Sequence, residues 1–254
     1  MVNLAICDDA GMPQEPDAIF SDERLAALYD LFEGERDDLD AYVAIVQELS
    51  ARRVLDIGCG TGEFVLRLAA LGVEASGLDP AVASIDVAKK KQGAEKVEWI
   101  EGDVSALPVI DVDLVTMTAN VAQVFVEDDA WRAVLDAAAS VLQPGGHLVF
   151  ETRDPDQRAW ESWDRESSFQ SGVGPDGSII ETWHEVTSVD LPLVTFDGTY
   201  RFADGSTTVS TSTLRFRSRD EVETALVDTG FEVIDVRDAP DRPGREFVFI
   251  ARRA

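Results

Sequence analysis

The chain has 254 residues, 45% of them hydrophobic, which suits one domain of generous size or a core carrying an insertion. Asp and Glu number 49 against 22 Lys and Arg, a net charge of −27, and such a field argues against nucleic-acid substrates and anionic membrane surfaces. No apolar run approaches membrane-spanning length.

Residues 1–20 are acidic and contain proline, which reads as a loose or lid-like segment without a signal peptide. The two cysteines, Cys7 and Cys59, are far apart, which fits a reducing, cytoplasmic setting. Apolar residues at helical spacing predict helices over 25–32 and 39–49, with Gly34 between them. Next comes Val54-Leu55-Asp56-Ile57-Gly58-Cys59-Gly60-Thr61-Gly62-Glu63-Phe64. An apolar strand turns through three glycines into an amphipathic helix over 64–71. That order makes a nucleotide site, because glycines admit close approach and a helix N-terminus offers N–H groups. The dinucleotide fingerprint wants glycine where Glu63 stands. Asp56 and Glu63 place negative charge where a pyrophosphate would lie, so the turn suits a ligand with positive charge and no phosphate.

Strands and helices then alternate. Strands are expected at 73–79, 97–100, 112–118 and 147–151. Helices are expected at 81–91 and at 129–142, the second closed by Gln143-Pro144-Gly145-Gly146. Such alternation builds a parallel sheet with helices on both faces. Residues 160–177 read as irregular. Three polar/apolar alternating runs, 179–189, 193–202 and 207–216, predict an antiparallel sheet with a hairpin at Asp204-Gly205. Ser218-Arg219-Asp220-Glu221 is a capping box for a helix that stops at Gly230, and strands at 231–236 and 246–251 close the chain. The expected fold is α/β: a Rossmann-like doubly wound sheet, mostly parallel with an antiparallel C-terminal strand. An antiparallel β insertion and N-terminal helices are added to it. The expected divisions are a helical lid at 1–50, a core at 51–152 and 216–254, and a substrate-side insertion at 153–215.

Ligands of open α/β sheets sit beyond the C-terminal strand ends. That rule selects Gly58, Gly60 and Gly62, then Asp79, then Asp103 and Val104, then Thr118, Ala119 and Asn120. The segment 56–62 resembles the first motif of class I S-adenosylmethionine-dependent methyltransferases. Gly77-Leu78-Asp79-Pro80, Glu101-Gly102-Asp103-Val104 and Leu142-Gln-Pro-Gly-Gly-His-Leu-Val149 extend the resemblance over roughly residues 50–152. It implies S-adenosylmethionine as cofactor, held by Asp56, Gly58, Cys59, Gly60, Gly62, Asp79, Pro80, Asp103, Val104, Thr118, Ala119 and Asn120. Asp79 would accept from the ribose hydroxyls, Asp103 and Val104 would hold adenine, and residues 118–120 would lie nearest the sulfur.

The chain lacks the Asn/Asp-Pro-Pro-Tyr signature after the fourth strand, which points to a small-molecule acceptor. Candidate acceptor contacts are Tyr29, Arg36, Trp160, Trp163, Trp183 and Tyr200, with His184 and Arg153 as candidate catalytic groups. No Cys/His cluster suggests zinc. Monomer and homodimer both fit. An NAD-dependent oxidoreductase and a non-catalytic S-adenosylmethionine-binding module stand as alternatives. Asp79 suits either cofactor.

Overall fold

The computed structural model describes residues 15–254. Cys7 and the first fourteen residues of the expected lid lie outside the described residues. Four helices come first: α1 (Ala18–Ser21), α2 (Glu23–Ala26), α3 (Tyr29–Glu33) and α4 (Leu39–Glu48). The helix expected over 25–32 is therefore two short pieces. The Asp22 side chain caps α2 by accepting from the Arg24 and Leu25 N–H groups. The turn at 27–28 then brings Leu25 and Leu28 into one apolar cluster with Ile180, Tyr200 and Phe202. Tertiary packing, not propensity, decides the break.

The core follows in order: β1 (Arg53–Ile57), α5 (Glu63–Ala70), β2 (Glu74–Asp79), α6 (Val82–Ala88), β3 (Glu98–Glu101), β4 (Val112–Met117), α7 (Asp128–Val141) and β5 (Leu142–Arg153). β5 begins earlier and ends later than expected. Leu142 pairs with Val112, the register then shifts, and regular pairing resumes at His147 with Leu114. The turn expected at 143–146 is thus an irregularity inside a paired strand.

The insertion starts with α8 (Arg165–Ser168) and β6 (Gln170–Val173), then β7 (Ile179–Asp190), β8 (Leu193–Phe202) and β9 (Thr207–Arg215). β6 lies in the stretch expected to be irregular. It is a four-residue edge strand, and a side chain at Gly172 would come within 3.0 Å of Leu31 and 3.2 Å of Phe32. Close approach of α3 requires glycine there and hides the strand pattern. The chain closes with α9 (Arg219–Asp228), β10 (Phe231–Asp238) and β11 (Glu246–Arg253); the expected capping box at Ser218 and Glu221 is formed.

The large sheet has the order β10-β11-β5-β4-β1-β2-β3, and β11 runs antiparallel to both neighbours. The insertion is a second sheet, β6-β7-β8-β9. One face of the large sheet packs through Leu55, Met117, Phe150 and Phe249 on Trp131, Leu135 and Leu226 of α7 and α9. The other packs through Val54, Leu114, Val149 and Ile250 on Tyr42, Val46, Phe64 and Leu68 of α4 and α5. Each such side chain contributes about 1.5–3 kcal/mol on burial, so two full cores can offset buried polar groups at the strand ends. Strand order reverses between β1 and β4, which opens a crevice at their C-terminal ends. No helix among the described residues is long and apolar enough to cross a membrane.

Candidate functional site

The glycine turn leaves β1 at Ile57. Four of its N–H groups are spent inside the protein. Gly58 and Cys59 both donate to the Leu78 carbonyl, at 2.8 and 3.1 Å. Gly60 donates to Asp79 Oδ2 at 2.8 Å, and Gly62 to the Cys59 carbonyl at 2.9 Å. The sequence suggested open N–H groups here; the fold closes four of them. A pyrophosphate needs such donors free. The Cys59 thiol is buried, lies against Gly77 and is pushed well up by burial, so a ligand would meet Cys59 through its backbone. Glu63 does not face the turn unpaired: Arg67 Nε sits at 3.2 Å and Lys91 Nζ at 3.6 Å from its carboxylate. Its charge is offset, so the case against a phosphate rests on Asp56 and Asp79.

Asp79 ends β2 and is buried. Its two oxygens each accept one backbone N–H, from Gly60 and from Ala81 at 2.8 Å, and burial still raises its pKa. A carboxylate has about four acceptor sites, so roughly two remain for ligand hydroxyls. Pro80 is exposed beside it. Asp103 ends the β3 loop, exposed, with Oδ1 accepting from the Ser105 N–H and hydroxyl at 2.8 and 2.5 Å; Val104 follows, half-buried.

Asp56 is 1% exposed and accepts from Thr116 Oγ1 at 2.6 Å across the β1–β4 pair. Burial, with the Glu151 and Asp79 charges adding to it, pushes its pKa up to about 7 against the opposing Thr116 bond. After Thr118, which is buried, Ala119 and Asn120 take φ of 58° and 61°. Asn is among the few residues that accept this left-handed geometry, and here it aims the Asn120 N–H at Glu151 Oε1, 2.8 Å away.

That bond opens a network outside the expected residue set. Glu151 is 4% exposed and Glu246 is 5% exposed. Asn120 Nδ2 donates to Glu246 Oε1 at 3.2 Å, and Arg242 Nη1 to the same oxygen at 2.8 Å. Arg153, expected as a catalytic group, lies here too. Its Nη1 donates to Gln123 Oε1 at 2.8 Å and its Nε is 3.7 Å from Glu246, while burial lowers its pKa. Burial lifts Glu151 to about 7, against the nearby Tyr42 hydroxyl of α4 and the hydrogen bond from the Asn120 N–H. The strand-end rule that selects Asp79 also reaches Glu151, near the end of β5.

The acceptor-side candidates separate into groups. A wall runs from Arg153 over the Trp163 ring (5.4 Å), to Phe196 (4.9 Å), to the edge of His184 (5.6 Å). His184 has its pKa lowered by burial, so its ring is neutral near pH 7. Tyr200 is buried in the cluster with Leu25, and Phe32 lies edge-on to its ring at 6.1 Å. Tyr29 packs on Phe20 at 5.6 Å, and Arg36 grips Asp38 with two bonds of 2.9 Å. Trp160 is 4% exposed, edge-on to Phe216 at 4.6 Å, a core position. Trp183 does not join the others. Strand alternation puts it on the face opposite His184, where Arg165 covers its ring at 4.2 Å and Glu185 accepts its indole N–H at 2.8 Å.

The N-terminal helices are tied across the crevice. Thr61 Oγ1 donates to Asp30 Oδ1 at 2.6 Å, and Lys91 pairs with Asp30 Oδ2 at 2.6 Å. Ser84 Oγ donates to the Phe20 carbonyl and the Ile19 N–H to Ser210 Oγ. Among the described residues, no group of three His, Cys, Asp or Glu could hold a metal ion.

The residues present fit a cationic donor. Asp56, Asp79 and Glu151 carry hydrogen bonds but no ion pair among the described residues. S-adenosylmethionine carries a sulfonium and an ammonium and no phosphate. Comparison with known proteins agrees. Residues 54–146 match the methyltransferase domain family. The cypemycin N-terminal methyltransferase of Streptomyces sp. is 36% identical over 118 residues, 46% of this chain and 48% of that one. The malonyl-[acyl-carrier protein] O-methyltransferase of Hahella chejuensis is 31% identical over 132 residues, 50% and 46% of the two chains. The chain thus spans about half the length of these curated relatives. The sugar N-methyltransferase of Streptoalloteichus sp. superposes with a TM-score of 0.74 at 18% identity, covering 99% of both chains. An amino pentose methyltransferase of Micromonospora echinaspora, solved with S-adenosylmethionine bound, gives 0.69 at 20% identity over 87% and 93% of the chains. Residues 54–146 are thus similar to a methyltransferase domain, and the whole chain shares its fold with S-adenosylmethionine-dependent methyltransferases.

Proposed function

We propose that this protein transfers the methyl group of S-adenosylmethionine to a small-molecule acceptor. The observation that carries the reading is the set of buried carboxylates, Asp56, Asp79 and Glu151, that make no ion pair among the described residues. Asp79 receives the ribose hydroxyls, Asp103 and Val104 hold adenine, and Asp56 and residues 118–120 face the charged methionine end. The sulfonium is already a good leaving group, so holding methyl and nucleophile in line supplies most of the acceleration.

The acceptor lies between the N-terminal helices and the insertion, with Tyr29, Arg36, Arg153, Trp163, His184 and Tyr200 as its surroundings. Residues 1–50 act as lid, 51–152 with 216–254 as donor core, and 153–215 as acceptor side. The net charge of −27 supports a small molecule over a nucleic acid. A buried free thiol at Cys59 supports a cytoplasmic setting. Monomer and homodimer both fit the reading.

Thermal-shift measurements with S-adenosylmethionine, S-adenosylhomocysteine and NAD should show stabilisation by the first two only. Stabilisation by NAD alone would sink the donor assignment. Labelled-methyl transfer to a metabolite panel then separates an enzyme from a module that only binds the donor.

A further inference from the structure

We infer that the acceptor is an amine, received as an ammonium ion by the Glu151 carboxylate and the Asn120 side-chain oxygen. This rests on the methyl-transfer reading above. The donor-side acids end β1, β2 and the β3 loop, whereas Glu151 ends β5, on the far side of β4. It therefore lies across the crevice from the ribose acid, where an acceptor would enter.

Among the described residues, two buried atoms there lack hydrogen-bond partners, Glu151 Oε2 and Asn120 Oδ1. Glu151 Oε1 is occupied by the Asn120 N–H, and the Asn120 amide is fixed by its bond to Glu246. Both orphans are acceptors, so the missing group is a donor. The neighbouring cations are committed elsewhere: Arg153 to Gln123 and Glu246, and Arg242 to Glu246. Glu246 has direct ion pairs to Arg153 and Arg242; Glu151 makes none among the described residues and feels the Arg153 charge only from a distance. A water or an alcohol would supply hydrogens but no charge. An ammonium supplies three N–H donors and the charge that a buried carboxylate needs.

The same carboxylate can then take the proton. Its pKa is lifted by burial to about 7, between Tyr42 of α4, Glu246 of β11, Arg153 of its own strand and Asp56 of β1. One ammonium proton passes to Glu151, freeing the nitrogen lone pair. That pair forms the N–C bond to the methyl carbon while the C–S pair stays on sulfur. The products are the N-methylated ammonium and S-adenosylhomocysteine, and Glu151 later releases its proton to water.

The test uses the full chain saturated with S-adenosylhomocysteine, which fills the donor side. Thermal shift is read against methylammonium, tetramethylammonium and sodium chlorides at equal ionic strength. Methylammonium should give a saturable rise in Tm, greater at about pH 8 than at about pH 6. Tetramethylammonium, with the charge but no N–H, should behave as sodium does. Glu151→Gln should lose the rise. Equal responses to the three salts, or a full methylammonium response in Glu151→Gln, overturns the inference. Should that variant not fold, the wild-type contrast between the two ammonium salts decides. Failure of S-adenosylhomocysteine itself to stabilise the protein would instead overturn the methyl-transfer reading.

Discussion

Asp79 carries two loads at once. Its oxygens hold the Gly60 and Ala81 N–H groups, so it joins the glycine turn to the start of α6 before any ligand arrives. Asp79→Ala releases both N–H groups and should destabilise the free protein by about 1–3 kcal/mol, read by denaturant titration. It should also weaken S-adenosylhomocysteine binding roughly tenfold or more in calorimetry. Unchanged affinity would confine Asp79 to the structural role. Asp56 and Glu151 make the opposite kind of contribution. Both hold a proton up to about 7 when folded, well above an ordinary carboxylate. The folded protein therefore binds more protons than the unfolded chain between about pH 4.5 and 7, and stability falls across that window as pH rises. The placement of Asp56, Asp79 and Asp103 was legible in the sequence because each lies at or just beyond a strand end near a glycine. The Glu151 network was not, because Asn120 meets its two carboxylates across 31 and 126 residues of sequence.

At the scale of elements, strand and helix order was legible wherever a hydrophobic period runs unbroken, as from β1 to α7. It failed where tertiary contact sets the structure, at the α2–α3 break and at β6. The glycine turn meets α6 and β3 through Gly62. Its φ of 81° strains any side chain, and a Cβ would drive into the Trp99 ring and meet Ala88 at 3.0 Å. Gly62→Ala should cost about 2–4 kcal/mol by denaturant titration, from backbone strain and overpacking together. A cost under about 0.5 kcal/mol would mean that Trp99 moves freely. The N-terminal helices meet the same turn through Asp30, which Thr61 and Lys91 share. Asp30→Ala should loosen α3 and speed limited proteolysis within residues 22–38, with smaller effect on global Tm, because the two sheet cores do not involve this contact.

The whole molecule carries 27 more acids than bases, so even complete pairing leaves that entire excess repelling itself. The ion pairs that exist are largely at the surface, such as Arg219–Glu223 and Arg252–Glu232, and each is worth little. Added salt weakens such pairs and the repulsion alike. With acids in more than twofold excess, the repulsion dominates, so Tm should rise as salt goes from about 10 to 150 mM. This bears on the buried acids, because surface repulsion also relaxes as pH falls and pushes stability in the same direction as Asp56 and Glu151. Salt separates the two. Charges on the surface are screened within about 8 Å at physiological ionic strength, whereas a carboxylate inside the sheet end is not. The stability difference between about pH 5.5 and pH 8 should therefore shrink with salt to a residue on the order of a few kcal/mol. That residue should fall sharply in the Asp56→Asn, Glu151→Gln double variant, leaving the smaller part due to Asp79. If high salt abolishes the whole difference in the wild type, the two acids are ionised across the range and the buried site is wetter than its burial implies.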